Sequence, residues 1–436
     1  MSFEIFSLNK QLWDAIADTG YTEPTPIQVK AIPPILAGQD IFGIAQTGTG
    51  KTAAFLLPIL MKLKFAQGTN PRVVILAPTR ELAMQIDQQV TLLAKYTDIR
   101  HTCIYGGVGM KAQIEAIRKG IDILVATPGR LLDIYRSTNL ILKEVKTLVL
   151  DEADRMMDMG FMPQIRNMLE VLPRKRQNLL FSATMPARVV KLSEEFLEFH
   201  TFIEVTPQAS TVATTEQYIY EVPNFITKIN FLAYLLRDEE VFNKVIIFAK
   251  TKANAENIYK FIDRKLTKKV KVIHANKGQN TRINAMEEFK KADIRILVAT
   301  DVAARGIDIS MVSHVINFDI PHAYDDYVHR IGRTGRANQL GTAISFFNKA
   351  ELYHIYKIEK LINMQIPLRA LPSDFEVVPT PHEEEQEMLR EIDNQKRKEN
   401  PDFQGAFHEK KSEIAEKDRR TQAYKAKRPK KGYMIG

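Results

Sequence analysis

The stretch AQTGTGKT at residues 45–52 combines glycines with a lysine and a threonine that could bind phosphate. It follows the apolar segment DIFGIA and precedes the helical pattern AAFLLPILMKLKFA, which is the strand, loop and helix context of a phosphate-binding loop. Glycines allow consecutive backbone N–H groups to surround phosphate oxygens at a helix N-terminus. Lys51 would then contact the β and γ phosphates of a nucleotide, and Thr52 would ligate Mg²⁺. Ala45 departs from the generic pattern because it replaces the first glycine.

Two adjacent carboxylates follow another apolar pattern, in TLVLDEAD at residues 147–154. Asp151 at the strand end could hold hydrated magnesium opposite Thr52. Glu152 is then placed to orient or deprotonate the attacking water. Two acids at a strand end ordinarily belong to a helix start, but a phosphate loop in the same sheet favours the catalytic interpretation.

Three arginines at a spacing of three occur in YVHRIGRTGR, residues 327–336. Phosphoryl transfer needs positive charge on the γ-phosphate at the transition state, and an inserted arginine can be worth about 10³ to 10⁵ in rate. A single surface arginine would carry no weight. Because Gly332 and Gly335 separate these arginines and let backbone approach closely, the segment predicts a surface that faces phosphate.

The strands that must position these groups occur in two sets with the same order. Short runs rich in Val and Ile, each followed by a turn and a helical pattern, are typical of a parallel sheet covered by helices. The first set is VVILAPTR, CIYGG, ILVATPGR, TLVLDEAD and NLLFSAT, and the second is VIIFAKTK, VIHANKG, ILVATDVAARG, HVINFD and TAISFF. VVILAPTR and VIIFAKTK are 172 residues apart and the two ILVAT runs are 173 residues apart, and the shared order predicts a duplicated α/β domain.

Only the first copy keeps a phosphate loop. The offset of 172 residues from AQTGTGKT leads to QYIYEVPN at residues 217–224, which contains no glycine and no lysine. The polar segment VTPQASTVATTEQ before it lacks apolar periodicity and predicts a linker.

The chain length of 436 residues favours two domains. We expect an N-terminal domain over residues 1–206, a linker over 207–216, a C-terminal domain over 217–370, and a charged, flexible basic tail over 371–436. The net charge is +9, and the last twenty residues contribute +7 of it, since they hold eight Lys or Arg and one Asp. This distribution favours a polyanionic partner.

The remaining composition indicates an ordinary globular chain. No apolar run reaches membrane-spanning length, and the first residues lack the features of a secretory signal, so we expect a cytoplasmic protein with no membrane partner. The single cysteine, Cys103, excludes an internal disulfide and any multi-cysteine metal site.

Taken together, these motifs resemble the DEAD-box ATP-dependent RNA helicases of superfamily 2. The resemblance covers roughly residues 3–370 and includes, in the order of the family, FSLNKQLWDAIADTGYTEPTPIQ, AQTGTGKT, PTREL, GG, TPGR, DEAD, SAT, IIFAKT, ATDVAARGIDI and HRIGRTGR. The run IEKLINMQIPLRALPSDFE is most similar to the bacterial RhlE-type subgroup. The resemblance implies an α/β fold of two tandem RecA-like domains, each a mostly parallel sheet flanked by helices. It also implies that ATP hydrolysis with Mg²⁺, stimulated by RNA, separates or remodels short RNA duplexes.

The resemblance also assigns residues to the nucleotide site. It implies that Tyr21 stacks on adenine with Thr25 nearby, and that Gln28 reads the exchangeable edge of adenine and contacts the phosphate loop. The loop residues themselves are Ala45, Gln46, Thr47, Gly48, Thr49, Gly50, Lys51 and Thr52, with Asp151 and Glu152 opposite them.

The second domain is expected to complete this site. His329, Arg333 and Arg336 would face the nucleotide, with both arginines acting as fingers, and Asp308 would lie near the ribose with Gly306 close by. Ser182 and Thr184 are expected to hydrogen-bond toward Asp154 and His329, and so to link hydrolysis to domain closure.

RNA contacts are implied on both domains. On the first domain they are Pro78, Thr79, Arg80, Gly106, Gly107, Thr127, Pro128, Gly129 and Arg130. On the second domain they are Thr251, Gln279, Arg282, Thr300, Asp301 and Gly306. Backbone N–H groups, threonine hydroxyls and arginines suit phosphates and sugars rather than base edges, so little sequence specificity is expected.

Single-stranded and short duplex RNA are therefore the expected partners, together with proteins of ribonucleoprotein particles. Two alternatives use the same core: a DNA-directed helicase, and an ATP-dependent RNA clamp or annealing factor. The tail KDRRTQAYKAKRPKKGYMIG mixes basic residues with Tyr424 and Tyr433, which suits sequence-tolerant RNA contact or a solubilising terminus.

Overall fold

The computed structural model describes residues 2–46, 48–138, 140–205, 215–304, 312–335, 341–400 and 403. Within these ranges the chain forms two seven-stranded sheets. The first has the order β3-β4-β2-β5-β6-β1-β7 and only parallel neighbours. Its strands are β1 Ile41–Ile44, β2 Val73–Leu76, β3 His101–Ile104, β4 Ile123–Ala126, β5 Thr147–Leu150, β6 Gln177–Ser182 and β7 Thr201–Glu204.

The second sheet repeats this arrangement. Its order is β10-β11-β9-β12-β13-β8-β14, again with parallel neighbours. Its strands are β8 Thr215–Glu221, β9 Val245–Phe248, β10 Val270–Ile273, β11 Ile296–Ala299, β12 His314–Asn317, β13 Gly341–Phe347 and β14 Leu368–Arg369. Position by position, each strand has a counterpart in the first sheet, which confirms the duplicated α/β domain.

Helices cover both sheets and begin mostly at the carboxyl ends of strands. The first domain contains α1 Lys10–Asp18, α2 Pro26–Leu36, α3 Lys51–Leu63, α4 Arg80–Leu93, α5 Met110–Arg118, α6 Pro128–Ser137, α7 Ala153–Asp158, α8 Met162–Val171 and α9 Ala187–Phe196. The second contains α10 Phe225–Leu236, α11 Lys252–Lys265, α12 Gln279–Lys290, α13 Asp301–Ala304, α14 Tyr324–Ile331, α15 Leu352–Ile362 and α16 His382–Glu399. Among the described residues, none of these helices combines the length and the apolar character that crossing a membrane requires.

Each sheet has an apolar core on both faces. In β2, Val73 and Ile75 belong to one core while Val74 and Leu76 belong to the other. The strand is therefore buried on both sides, which explains its uninterrupted apolar sequence, because a sheet with helices on both faces exposes neither face to water.

The predicted linker is too long at its C-terminal end. Thr215 and Glu216 lie in β8, where they pair with Gly341 and Thr342 of β13. The sequence concealed this strand because its first residues are polar, although Thr215 is buried. Residues 206–214 lie outside the described residues. The segment QYIYEVPN thus forms the strand that corresponds to β1 and the turn after it.

The expectation of a flexible tail from residue 371 is wrong for its first thirty residues. Leu371 and Phe375 pack on an apolar core of the second domain, and helix α16 follows. Asn224 donates through Nδ2 to the Val378 carbonyl at 2.7 Å, and Phe225 N–H donates to the Glu384 carboxylate at 2.8 Å. Few apolar contacts are needed to dock residues 371–400, because hydrogen bonds of polar side chains hold the remainder of this segment on the domain. Residues 404–436, with most of the basic charge, lie outside the described residues.

Candidate nucleotide and nucleic-acid interface

The sheet order divides the carboxyl edge of each sheet into two halves. In the first sheet, β3, β4 and β2 are neighbours at one end, and β5, β6 and β1 follow them. Loops after the first three strands hold the residues assigned to RNA, whereas loops after the other three hold the phosphate loop, DEAD and SAT. The second sheet repeats the division, with β10, β11 and β9 in one half and β12 in the other. Ligands of parallel α/β sheets characteristically bind at this edge.

The phosphate loop joins β1 to the N-terminus of α3. Gly48 and Gly50 have φ values of +81° and +90°, a backbone conformation that favours glycine. Thr49 donates through its hydroxyl to the Gln46 carbonyl at 2.7 Å, which closes the loop on itself. Lys51 is 5% exposed, and its Nζ has no hydrogen-bond partner among the described atoms. A buried ammonium without a partner is costly, so the loop fits an anion such as a phosphate. Ala45 hydrogen-bonds β6 through its N–H, and Thr52 is half-buried in the first turn of α3.

Gln28 connects helix α2 to the phosphate loop. Its Nε2 donates to the Gly50 carbonyl at 3.2 Å, and its Oε1 accepts from the Thr25 N–H at 2.8 Å. The expected contact between Gln28 and the loop is therefore present. Tyr21 stacks against Phe3, with ring centroids 6.4 Å apart, and its hydroxyl donates to Gln89 Oε1 at 3.2 Å.

The DEAD acids lie at the end of β5 and are almost completely buried. Asp151 is 2% exposed and Glu152 is 4% exposed. Burial raises the pKa of Asp151 to about 6, and the Glu152 carboxylate adds to the rise while Lys51 opposes it. Three buried carboxylates, Asp151, Glu152 and Asp154, lie beside two buried cations, Lys51 and Arg155, and this excess of negative charge favours a further cation. Asp151 and Thr52 therefore fit the predicted magnesium site.

Glu152 has a strained backbone. Its φ and ψ values are 54° and 55°, in the left-handed region that a residue other than glycine rarely adopts. The Arg155 guanidinium donates to its carboxylate at 3.3 Å, and its own N–H donates to Asp151 Oδ1 at 3.0 Å. Strain of this kind is retained where the surrounding structure fixes it, often at functional sites.

Ser182 and Thr184 connect the end of β6 to the DEAD segment. Thr184 donates to Asp154 Oδ2 through its N–H at 2.9 Å and its hydroxyl at 2.8 Å. Ser182 Oγ accepts from the Asp154 N–H at 3.3 Å. Burial favours the neutral form of Asp154, but His329 and the Thr184 hydrogen bonds hold its pKa below the usual value. The predicted contact toward Asp154 is thus present.

The HRIGR segment of the second domain faces this cluster. His329 lies close enough to Asp154 and Glu152 to interact electrostatically with both, and Arg333 is near it. Arg333 is 5% exposed. Residues of both domains therefore meet beside the buried carboxylates, as predicted.

Arg330, between those two residues, has a different environment. It is 2% exposed and donates to both oxygens of Asp301, at 2.6 and 2.8 Å. It also donates to Asn317 Oδ1 and to the Asp319 carbonyl. The side chain therefore holds the second domain together, and it occupies the Asp301 carboxylate that was assigned to RNA.

The RNA half of the first domain is built from the starts of α4 and α6. Thr79 caps α4 by accepting from the Leu82 N–H, and Pro78 precedes it. The Arg80 guanidinium packs over Gly106 and Gly107, so close that a Cβ at Gly107 would lie 2.0 Å from Arg80 Nη1. Gly107 also has a φ of +82°. The two segments thus form one surface, with glycine required at its centre.

The TPGR segment lies next to that surface. Thr127 and Pro128 begin α6, and Gly129 has open space where a side chain would stand. Arg130 is 8% exposed and donates to Gln113 Oε1 and to the Val108 carbonyl. Arg130 therefore braces the loop that carries the two glycines, while the helix N-terminus offers backbone N–H groups to an anion.

The second domain contributes similar helix starts. Thr251 caps α11 by accepting from the Asn254 N–H at 3.0 Å, and Thr300 is buried directly before α13. Arg282 forms an ion pair with Glu81 of the first domain at 2.8 Å. The sequence did not predict this interdomain contact, because nothing local relates PTREL to a residue 201 positions later.

Several residues that the sequence assigns to the nucleotide or to RNA fall outside the described part of the chain. Thr47, Gly306, Asp308 and Arg336 lie outside the described residues, and so does the side chain of Gln279.

Family models and relatives agree with this arrangement. Residues 25–192 match the DEAD/DEAH box helicase family, and residues 227–338 match the helicase conserved C-terminal domain. DEAD-box ATP-dependent RNA helicase RhpA of Helicobacter pylori is 39% identical over 384 residues, which cover 88% of this chain and 77% of the relative. ATP-dependent RNA helicase DBP2 of Chaetomium globosum is 42% identical over 356 residues, which cover 79% and 63% of the two chains.

Solved structures resemble the whole described fold. Dbp5 of S. cerevisiae bound to RNA and ADP BeF3 matches with a TM-score of 0.75 and 30% identity, over 90% of this chain and 99% of that one. DEAD-box helicase Mss116 bound to ssRNA and UDP-BeF matches with a TM-score of 0.78 and 29% identity, over 93% and 87% of the two chains. The two repeated sheets, the phosphate loop, the DEAD carboxylates and these relatives agree, and the chain belongs to the DEAD-box family of ATP-dependent RNA helicases.

Proposed function

We propose that this helicase binds ATP and one RNA strand at separate halves of the same interdomain edge, and that each ligand stabilises the closed arrangement which the other needs. The observation that carries the proposal is that each half of the edge contains a contact between the two domains. Asp154 faces His329 in the nucleotide half, and Glu81 pairs with Arg282 in the RNA half.

ATP would be held chiefly by the first domain. The Lys51 ammonium, which has no hydrogen-bond partner among the described atoms, would bind the β and γ phosphates. Gln28 and Tyr21 would contact adenine. Mg²⁺, ligated by Thr52 and Asp151, would neutralise developing charge on the phosphates. Glu152 would orient the attacking water, since its strained backbone and Arg155 fix the direction of its carboxylate.

The second domain would complete the reaction site. Arg333 would supply positive charge to the γ-phosphate, a role that can contribute about 10³ to 10⁵ in rate. When the domains close, His329 would interact with the Asp154 carboxylate, which a hydrogen bond from Thr184 holds in place. Arg336 and Asp308 are proposed for the same site on the resemblance of their motifs.

RNA would run across the helix starts of both domains. Thr79, Arg80 and Gly107 on the first domain, and Thr251 and Thr300 on the second, would contact phosphates and sugars. Such contacts carry little sequence information, so binding is expected to be largely independent of sequence. Arg130, Asp301 and Arg282 each bond to another side chain of this chain. They would therefore assist RNA binding indirectly, by positioning the neighbouring segments.

ATP hydrolysis tests the proposal in the full-length protein. We expect strong stimulation by single-stranded RNA and little by DNA of the same sequence. Glu152→Gln should lower turnover by about 10² to 10⁴, the usual contribution of a general base, with ATP still bound. Equal stimulation by DNA would favour the DNA-directed alternative, and stimulation without separation of a short duplex would favour the clamp. Unchanged turnover in Glu152→Gln would contradict the catalytic assignment.

Three finer points extend the proposal. The resemblance of IEKLINMQIPLRALPSDFE supports membership of the RhlE-type subgroup, the chemistry of the carboxylates supports Mg²⁺, and action on cellular RNA supports a cytoplasmic location. Partners in ribonucleoprotein particles would follow from an RNA substrate of that kind.

A further inference from the structure

Two histidines and a glutamate converge on the second domain, and none of the three is among the residues proposed for the nucleotide or for RNA. His322 lies in the loop before α14, His354 lies in α15, and Glu391 lies in α16. One ligand atom from each residue lies within 4.8 Å of the others. Three elements that are distant in sequence thus contribute one donor each to a single point.

The environment of His354 leaves one ring nitrogen available as a ligand. Its Nδ1 is 3.1 Å from the Tyr324 hydroxyl, and its Nε2 is 3.8 Å from Glu391 Oε1. If Nδ1–H donates to Tyr324, Nε2 keeps its lone pair on the side of Glu391. The Gln395 amide, 3.4 Å from Nε2, can donate to that lone pair when no ion is present. Metal-binding histidines are usually oriented by such a partner on the other nitrogen.

The other two donors can adjust. The His322 ring is nearly perpendicular to the His354 ring, at 88° with centroids 5.0 Å apart, and it is exposed to solvent. The Glu391 side chain is 38% exposed. Rotation of these two side chains can bring the donors to the 2.0–2.2 Å at which zinc binds nitrogen and oxygen, while the buried His354 stays fixed. The Lys250 ammonium interacts with His322 and would repel a bound cation. Because Lys250 is exposed, solvent and salt screen this repulsion.

We propose that His322, His354 and Glu391 bind Zn²⁺, with water as the fourth ligand, and that the ion fastens α16 to the second domain. Two imidazoles and a carboxylate are a donor set that suits zinc. Because Glu391 belongs to α16 and the histidines belong to the domain beneath it, the ion would strengthen the docking of the whole segment 371–400.

The test uses tag-free, full-length protein stripped with a chelator. Titration with ZnCl₂ in a calorimeter should show one ion per chain, and thermal unfolding should shift upward by roughly 5 °C at free zinc 100-fold above Kd. His322→Ala and Glu391→Gln should each weaken binding roughly 100-fold or more and abolish the shift. Tyr324→Phe, which removes only the orienting hydroxyl, should weaken binding by roughly tenfold.

Matched controls come from the same helix. His382→Ala and Glu387→Gln alter exposed residues of α16 and should leave zinc binding and the thermal shift unchanged. Cobalt bound in place of zinc should give a visible absorption band that His322→Ala removes. Absence of binding, or binding that survives both His322→Ala and Glu391→Gln, would overturn the proposal and leave His354 and Glu391 as an ordinary ion pair.

Discussion

At the scale of single residues, Gly107 is the position where backbone geometry and ligand surface depend most directly on each other. Its positive φ favours glycine, and the space that a side chain would occupy is filled by the Arg80 guanidinium. A methyl group would therefore strain the backbone by roughly 1–2 kcal/mol and displace an arginine that faces the proposed RNA path.

We expect Gly107→Ala to weaken single-stranded RNA binding by about tenfold, equivalent to about 1.4 kcal/mol, without changing ATP affinity in the absence of RNA. Fluorescence anisotropy with a labelled oligonucleotide measures the first quantity. Gly109→Ala is the matched control, because its φ is −57° and nothing lies within 4 Å of the added carbon. Equal losses in the two variants would contradict the role of Arg80 and Gly107.

Thr184 offers a second test at this scale, since its two hydrogen bonds fix the Asp154 carboxylate that faces His329. Thr184→Val keeps the shape and the N–H bond but removes the hydroxyl. We expect RNA stimulation of ATP hydrolysis to fall several-fold while hydrolysis without RNA changes little. Thr201→Val, which removes a hydroxyl bonded to exposed Gln39, is the control. A parallel fall of stimulated and unstimulated rates would argue against a coupling role.

Residue types and spacing can nominate the residues of a site, but they do not indicate which side chains bond to one another within the protein. Lys51, Asp151 and Glu152 could be named because phosphate and magnesium chemistry demands those types. The ion pairs of Arg330 with Asp301 and of Arg282 with Glu81 could not be predicted. A motif shows that an arginine is present, but not whether it contacts a ligand or a carboxylate of the protein.

At the scale of elements, Asp122 organises the edge from which β2, β3 and β4 start. Its buried carboxylate accepts from the Arg72 and Arg100 side chains and from the Gln67 and Arg100 N–H groups. Burial opposes ionisation, but these bonds outweigh it and lower the pKa of Asp122. Since its pKa is lower in the folded state, Asp122 stabilises the fold above the unfolded-state pKa of 3.8 and loses that contribution as the pH falls below it.

We expect Asp122→Asn to lower the free energy of unfolding by about 3 kcal/mol at pH 7, because it leaves two buried or partly buried arginines without their counter-charge. The deficit should shrink as the pH falls below 4. Urea unfolding at several pH values measures it. Asp98→Asn removes the charge of an exposed carboxylate that accepts from the Ala66 N–H, and it should cost much less. A deficit that stays constant as the pH is lowered progressively below the unfolded-state pKa of 3.8 would contradict the ionic explanation.

Residues 371–400 provide the element-scale test of the corrected domain boundary. Glu384 places a carboxylate at the start of α10, which corresponds to α3 after the phosphate loop, so an acid occupies the position where the first domain would bind phosphate. We expect truncation after residue 370 to destabilise the second domain by several °C, and truncation after residue 403 to leave it unchanged. Glu384→Gln should have a small effect, with exposed Glu385→Gln as its control. Equal melting temperatures for both truncations would restore the original boundary at 370.

Apolar periodicity predicted most strands, because a strand buried on both faces is apolar throughout, as in β2 and β9. It missed β7, β8 and β14, and it did not predict that α16 packs against the second domain. β8 begins with three polar residues that pair with β13, of which Thr215 and Gln217 are buried. Helix α16 docks through polar side chains rather than through an apolar face.

At the scale of the whole molecule, the repeated sheets explain why one chain can bind two ligands jointly. Each sheet contributes helix starts to the RNA half and residues to the nucleotide half of one edge. A ligand that contacts both domains favours closure, and closure completes the other half. Thermodynamic linkage then requires that ATP and RNA change each other's affinity by the same factor.

The most direct measurement is therefore the affinity of the full-length protein for labelled single-stranded RNA with and without a non-hydrolysable ATP analogue, together with the affinity for the analogue with and without RNA. We predict that both affinities rise by the same factor, between about 5-fold and 150-fold, and that Thr184→Val reduces both gains equally. Affinities that are independent of the other ligand would contradict joint binding across the two domains.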